Sequence, residues 1–449
     1  MKKIFQYIML AVVTIVMASC TSDIEETTAT TGKNNVQLVV GEFPAFGDSQ
    51  TRAIGTPDEG KTSWAEGDEL LLEIDNTSYG RHNATFTYNG SSWELTSGEL
   101  VYLEGDPAYI SHVYYAPNYK WEAGELFLKK GKVAGTDEYI EGKAIITGNG
   151  ETITVSFAEA TRKYSRLRIA TLPNEQITVD TEYFTPAGSS DMEQNGNYTL
   201  TSDEKGNAYL YGTFENNSEV TVKYREAALT TYTFSQATES AKSYALDATV
   251  ISANSAEEIK SAIEQKVADG KTTIRLNLAP NAGTNEFMAI REAIKGAAPN
   301  DLGTIELTII GVETIPEEAF YKMLQLKSVR MSDVKEIKKY AFKECQYLTV
   351  VEAPSLNKLY SGAFKKCDQL SKLTFGPINY ADARNCPIFE YITPNIDLIL
   401  SDYQKEMIET DDYLYTANND RDYAGSDEHN SKNFLGREFK SITCRYPVE

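Results

Sequence analysis

The chain has 449 residues, a formal net charge of −22, five Cys and three His. An acidic chain without a Lys/Arg cluster excludes recognition of nucleic acid or anionic lipid through a broad basic face. Its length suits two or three domains, each with its own core.

At the N-terminus, Lys2 and Lys3 precede an apolar run from Ile4 to Val16, followed by Met17-Ala18-Ser19-Cys20. Charged residues, an apolar stretch and small residues in that order predict a secretory signal. The run is interrupted by Gln6 and Tyr7, and it is shorter than the roughly 20 residues that a bilayer crossing needs. Cys20 after small residues resembles the lipobox of bacterial lipoproteins. That resemblance implies loss of residues 1–19, lipidation of Cys20, and a net charge of −24 on the mature chain. More than one acyl chain gives stable anchoring. The acidic stretch Thr21-Ser22-Asp23-Ile24-Glu25-Glu26 resembles the export signal that places lipoproteins of some Gram-negative anaerobes on the outer face of the outer membrane. Residues 20–35 are Thr-rich and apolar-poor, a disordered tether by composition.

From Val36 to about Val250 the pattern is strand-like. Val36–Val40, Glu69–Ile74, Ala84–Tyr88, Ser92–Leu95 and Ala108–Tyr115 alternate or are enriched in aromatic and β-branched residues, with turn signals such as Asn89-Gly90 between them. Phe86-Thr-Tyr88, Asn89-Gly90 and Trp93 predict a hairpin. A second group starts at Thr152–Phe157 and continues through Arg166–Ile169, Gln176–Val179, Ala208–Tyr211, Glu219–Tyr224, Thr231–Phe234 and Tyr244–Val250. Many short strands with no helical period predict two antiparallel β-sandwiches in series, residues 36–150 and 151–252. The blocks Thr51-Arg52-Ala53, Trp64-Ala-Glu-Gly-Asp68, Tyr88-Asn-Gly with Trp93, Val113-Tyr-Tyr-Ala-Pro117 and Tyr164-Ser-Arg-Leu-Arg-Ile169 resemble the fimbrillin family of Gram-negative anaerobes. That family often has a His before the last of these strands, where this chain has Thr161-Arg162-Lys163. The resemblance implies transthyretin-like sandwiches. It also implies possible proteolytic processing at Arg52-Ala53, which would remove the strand Val36–Val40 and open a groove for a donor strand from a fimbrial subunit.

Beyond residue 253 the period changes. Ile259, Ile263 and Val267 lie four apart on a helix that Ser255 caps, with Asp269-Gly270 ending it. Ile274–Leu278 reads as a strand, Met288–Ile294 as a helix, and Ile305–Ile309 as a strand. Then one phrase recurs every 22 residues: Ile315-Pro-Glu-Glu-Ala-Phe320, Ile337-Lys-Lys-Tyr-Ala-Phe342 and Leu359-Tyr-Ser-Gly-Ala-Phe364. Met323, Cys345 and Cys367 share one column; Leu326, Leu348 and Leu370 another; Val329, Val351 and Leu373 a third. A repeat this short cannot bury its apolar face alone, so the copies must stack. These phrases resemble BspA-like leucine-rich repeats. Residues 253–449 are therefore expected to form an α/β leucine-rich-repeat solenoid with an N-terminal cap, Ile396–Leu400 as a last strand and a tail from Asp402 that closes the end.

Signals for catalysis are missing. His82, His112 and His429 are scattered, without metal-ligand spacing, a nucleophile elbow or a phosphate-cradling Gly loop. The loop around Asp420, Asp422 and Gly425 approaches a calcium-binding pattern, but Ala424 offers no oxygen and Ser431 stands at the twelfth position. No cofactor and no metal are expected. Cys345 and Cys367 read as core filling, with a disulfide as the alternative; Cys386 and Cys444 add further possible connectivities. Trp64, Trp93 and Trp121 read as core or as sugar-stacking platforms. Glu317, Glu318, Lys338, Lys339, Lys365 and Lys366 read as solubilising surface or as binding residues. The reading that unites these features is a non-enzymatic lipoprotein of the outer membrane, a β-sandwich stalk carrying a repeat head that binds a host or matrix protein. A fimbrial accessory subunit and a glycan-binding uptake lipoprotein are the alternatives, and no nucleic-acid partner is expected.

Overall fold

The computed structural model describes residues 37–44, 46–48, 61–76, 80–98, 108–147, 152–157, 162–225, 227–253, 255–382, 386–401, 433–435 and 437–445. Cys20, Arg52, Ala53 and the acidic loop at 420–431 lie outside them. The chain separates into one unit of residues 1–170, 179–220 and 232–247 and a second of 171–178, 221–231 and 248–449. Mainly β structure fills the first; the second contains the repeats.

A seven-stranded sheet opens the first unit, in the order Gln37–Val40, Thr152–Ser156, Ile140–Thr147, Ala108–Tyr115, Glu69–Asn76, Gly80–Tyr88, Trp93–Gly98. The predicted hairpin is present, with Tyr88 opposite Trp93. Two expectations are corrected here. Thr152–Ser156 belongs to this first sheet, antiparallel to Ile140–Thr147 and parallel to Gln37–Val40, so a boundary at 150/151 cuts through it. The sheets are also mixed rather than antiparallel, because Ser165–Ala170 and Lys242–Asp247 pair in parallel in the second sheet. The alternation of apolar residues constrains the face that a strand buries but is blind to strand direction.

The Trp-Ala-Glu-Gly-Asp block forms a corner that ties four segments together. Trp64 donates its indole N–H to the Gly41 carbonyl at 2.8 Å and packs edge-on against Phe43, Trp93 and Tyr115. Gly67, at φ +91°, lets its N–H reach the Tyr88 carbonyl at 2.8 Å. Asp68 accepts from Tyr115 Oη at 3.0 Å and from Lys61 Nζ at 2.9 Å. Trp93 is 1% exposed, so the sandwich core uses these Trp residues as filling.

Arg162, just before the strand Ser165–Ala170, is fully buried. Its guanidinium meets both oxygens of Glu138, Nη2 to Oε1 at 3.1 Å and Nε to Oε2 at 3.3 Å. It also donates to the Pro44 carbonyl and lies over the Phe46 ring at 4.0 Å. Tyr164 donates to the same carboxylate at 2.7 Å and accepts from the Tyr139 N–H at 3.0 Å. Burial, then the Glu138 charge, push the Tyr164 phenol well above its ordinary value. A buried ion pair is tolerable only when its remaining donors and acceptors are filled in this way. The following strand, Gly47–Asp48, joins the eight-stranded sheet beside Lys242–Asp247, so strands between residues 37 and 48 contribute to both the seven-stranded and the eight-stranded sheet.

In the second unit, helix α1 (Ala256–Ala268) starts at Ser255, whose hydroxyl accepts from the Glu258 N–H at 3.3 Å. Helix α2 (Thr284–Ala297) begins with Glu286 folding back onto the Gly283 N–H at 2.8 Å. Ile259, Ile263, Phe287, Ile290 and Ile294 turn inward, as a period near 3.6 requires. Eight parallel strands form one sheet, from Ile251–Ala253 before α1 and Thr273–Leu278 between the helices through Ile305–Ile310, Leu326–Arg330, Val350–Ala353, Lys372–Phe375 and Asp397–Ser401 to Ser441–Arg445. Leu307, Val329, Val351 and Leu373 stand in register. A second parallel sheet aligns Ile315, Ile337, Leu359 and Ala381.

Between these two sheets the Ala-Phe phrases stack. Phe320, Phe342, Phe364 and Phe389 lie face to face, with centroids 5.1, 5.4 and 5.7 Å apart. Phe287 of α2 and Phe439 of the tail close the two ends edge-on. The helical part of the expected α/β region lies where the sequence placed it. Both described helices precede the repeats, which join their strands by turns. Left-handed residues interrupt each turn, at Glu318, Tyr340 and Gly362 and again at Lys322, Glu344 and Lys366, and an α-helix cannot pass through them. The sheet also continues one strand beyond Asp397–Ser401.

Phe342 has a ring neighbour on both sides, so Phe342→Ala is expected to cost about 3–5 kcal/mol. Chemical denaturation of the full-length protein measures it; a loss below about 1 kcal/mol would mean that the ladder does not hold the repeats together.

Candidate functional site

The repeat core is apolar almost without exception, so any site in this unit lies on its outer faces. On the large sheet, ion pairs cross from one repeat to the next: Lys327 to Glu306 at 2.8 Å, then Arg330 and Lys372 on either side of Glu352 at 2.9 and 3.7 Å. On the small sheet, Lys335 meets Glu313 at 2.6 Å, while Glu336 lies between Lys338 and Lys358. Hydrogen bonds from those two lysines hold the Glu336 carboxyl below its ordinary range. Exposed pairs of this kind contribute roughly 0.2–1 kcal/mol each. They neutralise both sheet faces locally.

The turns differ. Lys322 N–H bonds to the Lys343 carbonyl at 3.0 Å, Glu344 N–H to Lys365 at 2.8 Å, and Lys366 N–H to Glu390 at 2.8 Å. These bonds stack the turn side chains into columns. Lys343 Nζ lies 5.0 Å from the Tyr321 ring and 4.8 Å from the Tyr340 ring. Lys339 covers Tyr340 at 4.8 Å, Lys322 covers Tyr321 at 5.1 Å, and Lys365 and Lys366 flank Tyr391 at 5.5 and 6.0 Å. Tyr391 is 64% exposed. The result is a continuous surface of alternating ammonium groups and phenol rings.

Of the repeat residues singled out from sequence, Lys339, Lys365 and Lys366 belong to this turn surface. Lys338 instead belongs to the small-sheet ion pairs, although its Nζ also covers the Tyr360 ring at 4.5 Å. Glu317 and Glu318 are exposed at the first turn. Tyr321, Tyr340, Lys343 and Tyr391 were not anticipated. The column Tyr321, Lys343, Lys365 could have shown them, since it keeps the 22-residue period while staying polar.

Cys345 and Cys367 are buried thiols, and among the described residues neither they nor Cys386 and Cys444 form a disulfide. Cys345 donates to the Phe320 carbonyl and Cys367 to the Phe342 carbonyl, both at 3.0 Å. Each thiol thus ties one repeat to the previous one without a disulfide. Burial pushes Cys345 up to about 12 and Cys367 well above its ordinary value, which suits a structural role. His112 is half-exposed, stacked on Tyr114 at 5.7 Å, with Nδ1 3.4 Å from Glu141 Oε1. Among the described residues no group of three or more His, Cys, Asp or Glu could hold a metal ion. Nor is any helix among them long and apolar enough to cross a membrane.

Comparison with known proteins places part of the chain in a recognised class. Residues 302–397 match the model of the BspA type leucine-rich repeat region, in six copies. It covers the small parallel sheet and the middle strands of the large one, and it extends the repeats past the three phrases visible in sequence. No curated protein matches the chain. Among solved structures, the minor pilin GBS52 of the Gram-positive pathogen Streptococcus agalactiae aligns at 10% identity and a TM-score of 0.17, covering 48% of this chain and 94% of that one. At that score the alignment carries no weight for this fold.

Gly362 is the position where the turn face is tightest. At φ +62°, a Cβ there would lie 2.4 Å from Tyr340 Cε1 and 3.1 Å from Cys386 Sγ. Gly362→Ala is expected to destabilise the protein by about 1–3 kcal/mol through overpacking. In a Tyr340→Ala background the same substitution should cost less, because the ring it displaces is gone. A double-mutant cycle by denaturation checks this; additive costs would mean that the ring does not occupy the space above Gly362.

Proposed function

We propose that this chain is a non-catalytic, lipid-anchored protein on the outer surface of a Gram-negative bacterium, an adhesin that binds a host or matrix protein through its leucine-rich-repeat region. The observation that carries this reading is the continuous turn face, on which side chains from successive repeats form one surface outside a sealed apolar core. Stacked repeats provide extended surfaces of that kind and few enclosed pockets. The repeat region is read as a solenoid, and the two β-sheet regions before it as transthyretin-like sandwiches of the fimbrillin type. Cys20 supplies the anchor.

A second reading, a fimbrial subunit assembled by strand exchange, draws support from Gln37–Val40. This strand ends its sheet, pairs on one side with Thr152–Ser156 and buries Leu38 completely, so its removal would open a hydrophobic edge. Cleavage after Arg52 would, however, also remove Phe43, Pro44 and Phe46, which stack on or accept from the buried Arg162. Leaving that guanidinium without them is costly, which favours retention of the strand. The glycan-uptake reading loses Trp64 and Trp93 as sugar platforms, since both pack in the sandwich core.

Two measurements test the proposal. Mass spectrometry of the native N-terminus is expected to find a lipidated Cys20; a mature chain that begins at Ala53 would support the fimbrial reading instead. Deleting residues 250–449 is expected to abolish adhesion of cells to host matrix while the remaining protein still reaches the surface. Undiminished adhesion would remove the repeat region from the mechanism.

A further inference from the structure

The whole chain carries a net charge of −22, yet in the repeat turns five carboxylates are matched by as many cations. Helix α2 adds two of them: Arg291 donates to the Glu318 carbonyl at 2.9 Å and Lys295 to the Tyr321 carbonyl at 3.3 Å. The Lys295 ammonium is driven down mainly by its burial, with the nearby charge of Arg291 adding to the effect. Glu344 serves both Lys322 at 3.6 Å and Lys343 at 3.9 Å, and Glu390 serves Lys365. Among the described residues, no carboxylate forms an ion pair with Arg291, Lys295, Lys339 or Lys366. Glu317 and Glu318 lie at the first turn, Glu292 is on α2, and Asp368 follows Cys367; with these exposed carboxylates the face sets seven cations against six carboxylates, and its positive character rests on the four cations without a carboxylate partner.

The shape of the surface narrows the partner. Its backbone N–H groups at Lys322, Glu344 and Lys366 are already bonded to the next turn, so an extended peptide finds no free edge to pair with. Adjacent turns repeat at about the 4.8 Å spacing of neighbouring strands, which sets the ammonium groups out as a regular row. Phenol rings lie between them, with Tyr391 the most exposed. A regular anionic polymer with flat ring faces matches this pattern. We propose that the turn face, from Arg291 and Lys295 through Tyr321, Lys343, Tyr340 and Lys339 to Lys366 and Tyr391, is a binding site for an anionic polysaccharide. The lysines would take the sulfate or carboxylate groups, and the tyrosine rings the sugar faces. This site rests on the same turn face that carries the adhesin reading and adds a polysaccharide component to that recognition.

The test titrates heparin, neutral dextran and a poly-glutamate peptide against the full-length protein by calorimetry, at low and at high salt. Heparin is expected to bind, more weakly as salt rises, and dextran not to bind. The triple variant Lys339→Gln/Lys343→Gln/Lys366→Gln should bind heparin roughly tenfold or more weakly. A control on the sheet faces, Lys327→Gln/Lys335→Gln, should bind as the parent does. Tyr391→Ala should weaken the binding that remains at high salt, where charge is screened. The proposal is overturned if the parent does not bind heparin, if the triple variant binds it as tightly as the parent with an unchanged melting curve, or if poly-glutamate binds as well as heparin. Adhesion that disappears on deleting residues 250–449 while heparin fails to bind would leave the adhesin reading in place and remove this one.

Discussion

The ladder of Phe320, Phe342, Phe364 and Phe389 governs the repeat region. Each ring is fully or almost fully buried, and burial of a side chain of that size contributes roughly 1.5–3 kcal/mol. One 22-residue turn of chain cannot enclose a phenyl ring; two neighbours can. The ring therefore makes each repeat depend on the next, and the ladder must be closed at its ends. Phe287 closes one end from a helix and Phe439 the other from a distant tail segment. Both meet the ladder edge-on, an arrangement that aromatic pairs favour and one that stops further face-to-face stacking.

Everything outside the ladder inherits its spacing. Because the rings fix the register, the polar columns recur one strand apart, and charge must be arranged so that like groups do not simply stack. On the sheet faces the chain alternates sign between repeats, Glu306 with Lys327 and Arg330 with Glu352. On the turns it does not. Lys343 and Lys365 occupy the same column of adjacent repeats, and phenol rings supply part of the compensation that carboxylates supply elsewhere. That asymmetry, in a chain so acidic overall, is what marks the turn face as a surface for a negatively charged partner.

The β unit obeys a different constraint. Arg162 is buried with Glu138, Tyr164, Pro44 and Phe46 around it, and its partners come from segments far apart in sequence. Such a network is costly to break, since removing one member leaves the others unsatisfied in a low-dielectric interior. It also anchors residues 43–46, and so bears on whether the N-terminal strand can leave.

Much of this was legible in the sequence because it depends on period. The 22-residue columns, the Ser255 cap, the Asn89-Gly90 hairpin and the strands from Glu69 onward are local patterns that chemistry reads directly. The repeat region was recognisable from Ala-Phe phrases alone, because only stacking can bury them. What the sequence did not carry was pairing between distant segments. Strand direction was hidden, because side-chain alternation is the same for parallel and antiparallel neighbours; Thr152–Ser156 therefore seemed to begin a second sandwich and instead completes the first. The burial of Arg162 was hidden too, since it depends on Glu138 and Pro44 arriving from elsewhere. The way the repeats join their strands was also hidden, because left-handed residues at Tyr340 and Lys366 are set by contacts with the next turn. The turn face itself arises only when Lys343 comes to lie between Tyr321 and Tyr340. Sequence determined which residues must be inside, through periodic burial; tertiary structure decided which charges and rings would meet outside, because those contacts join residues that no local period connects.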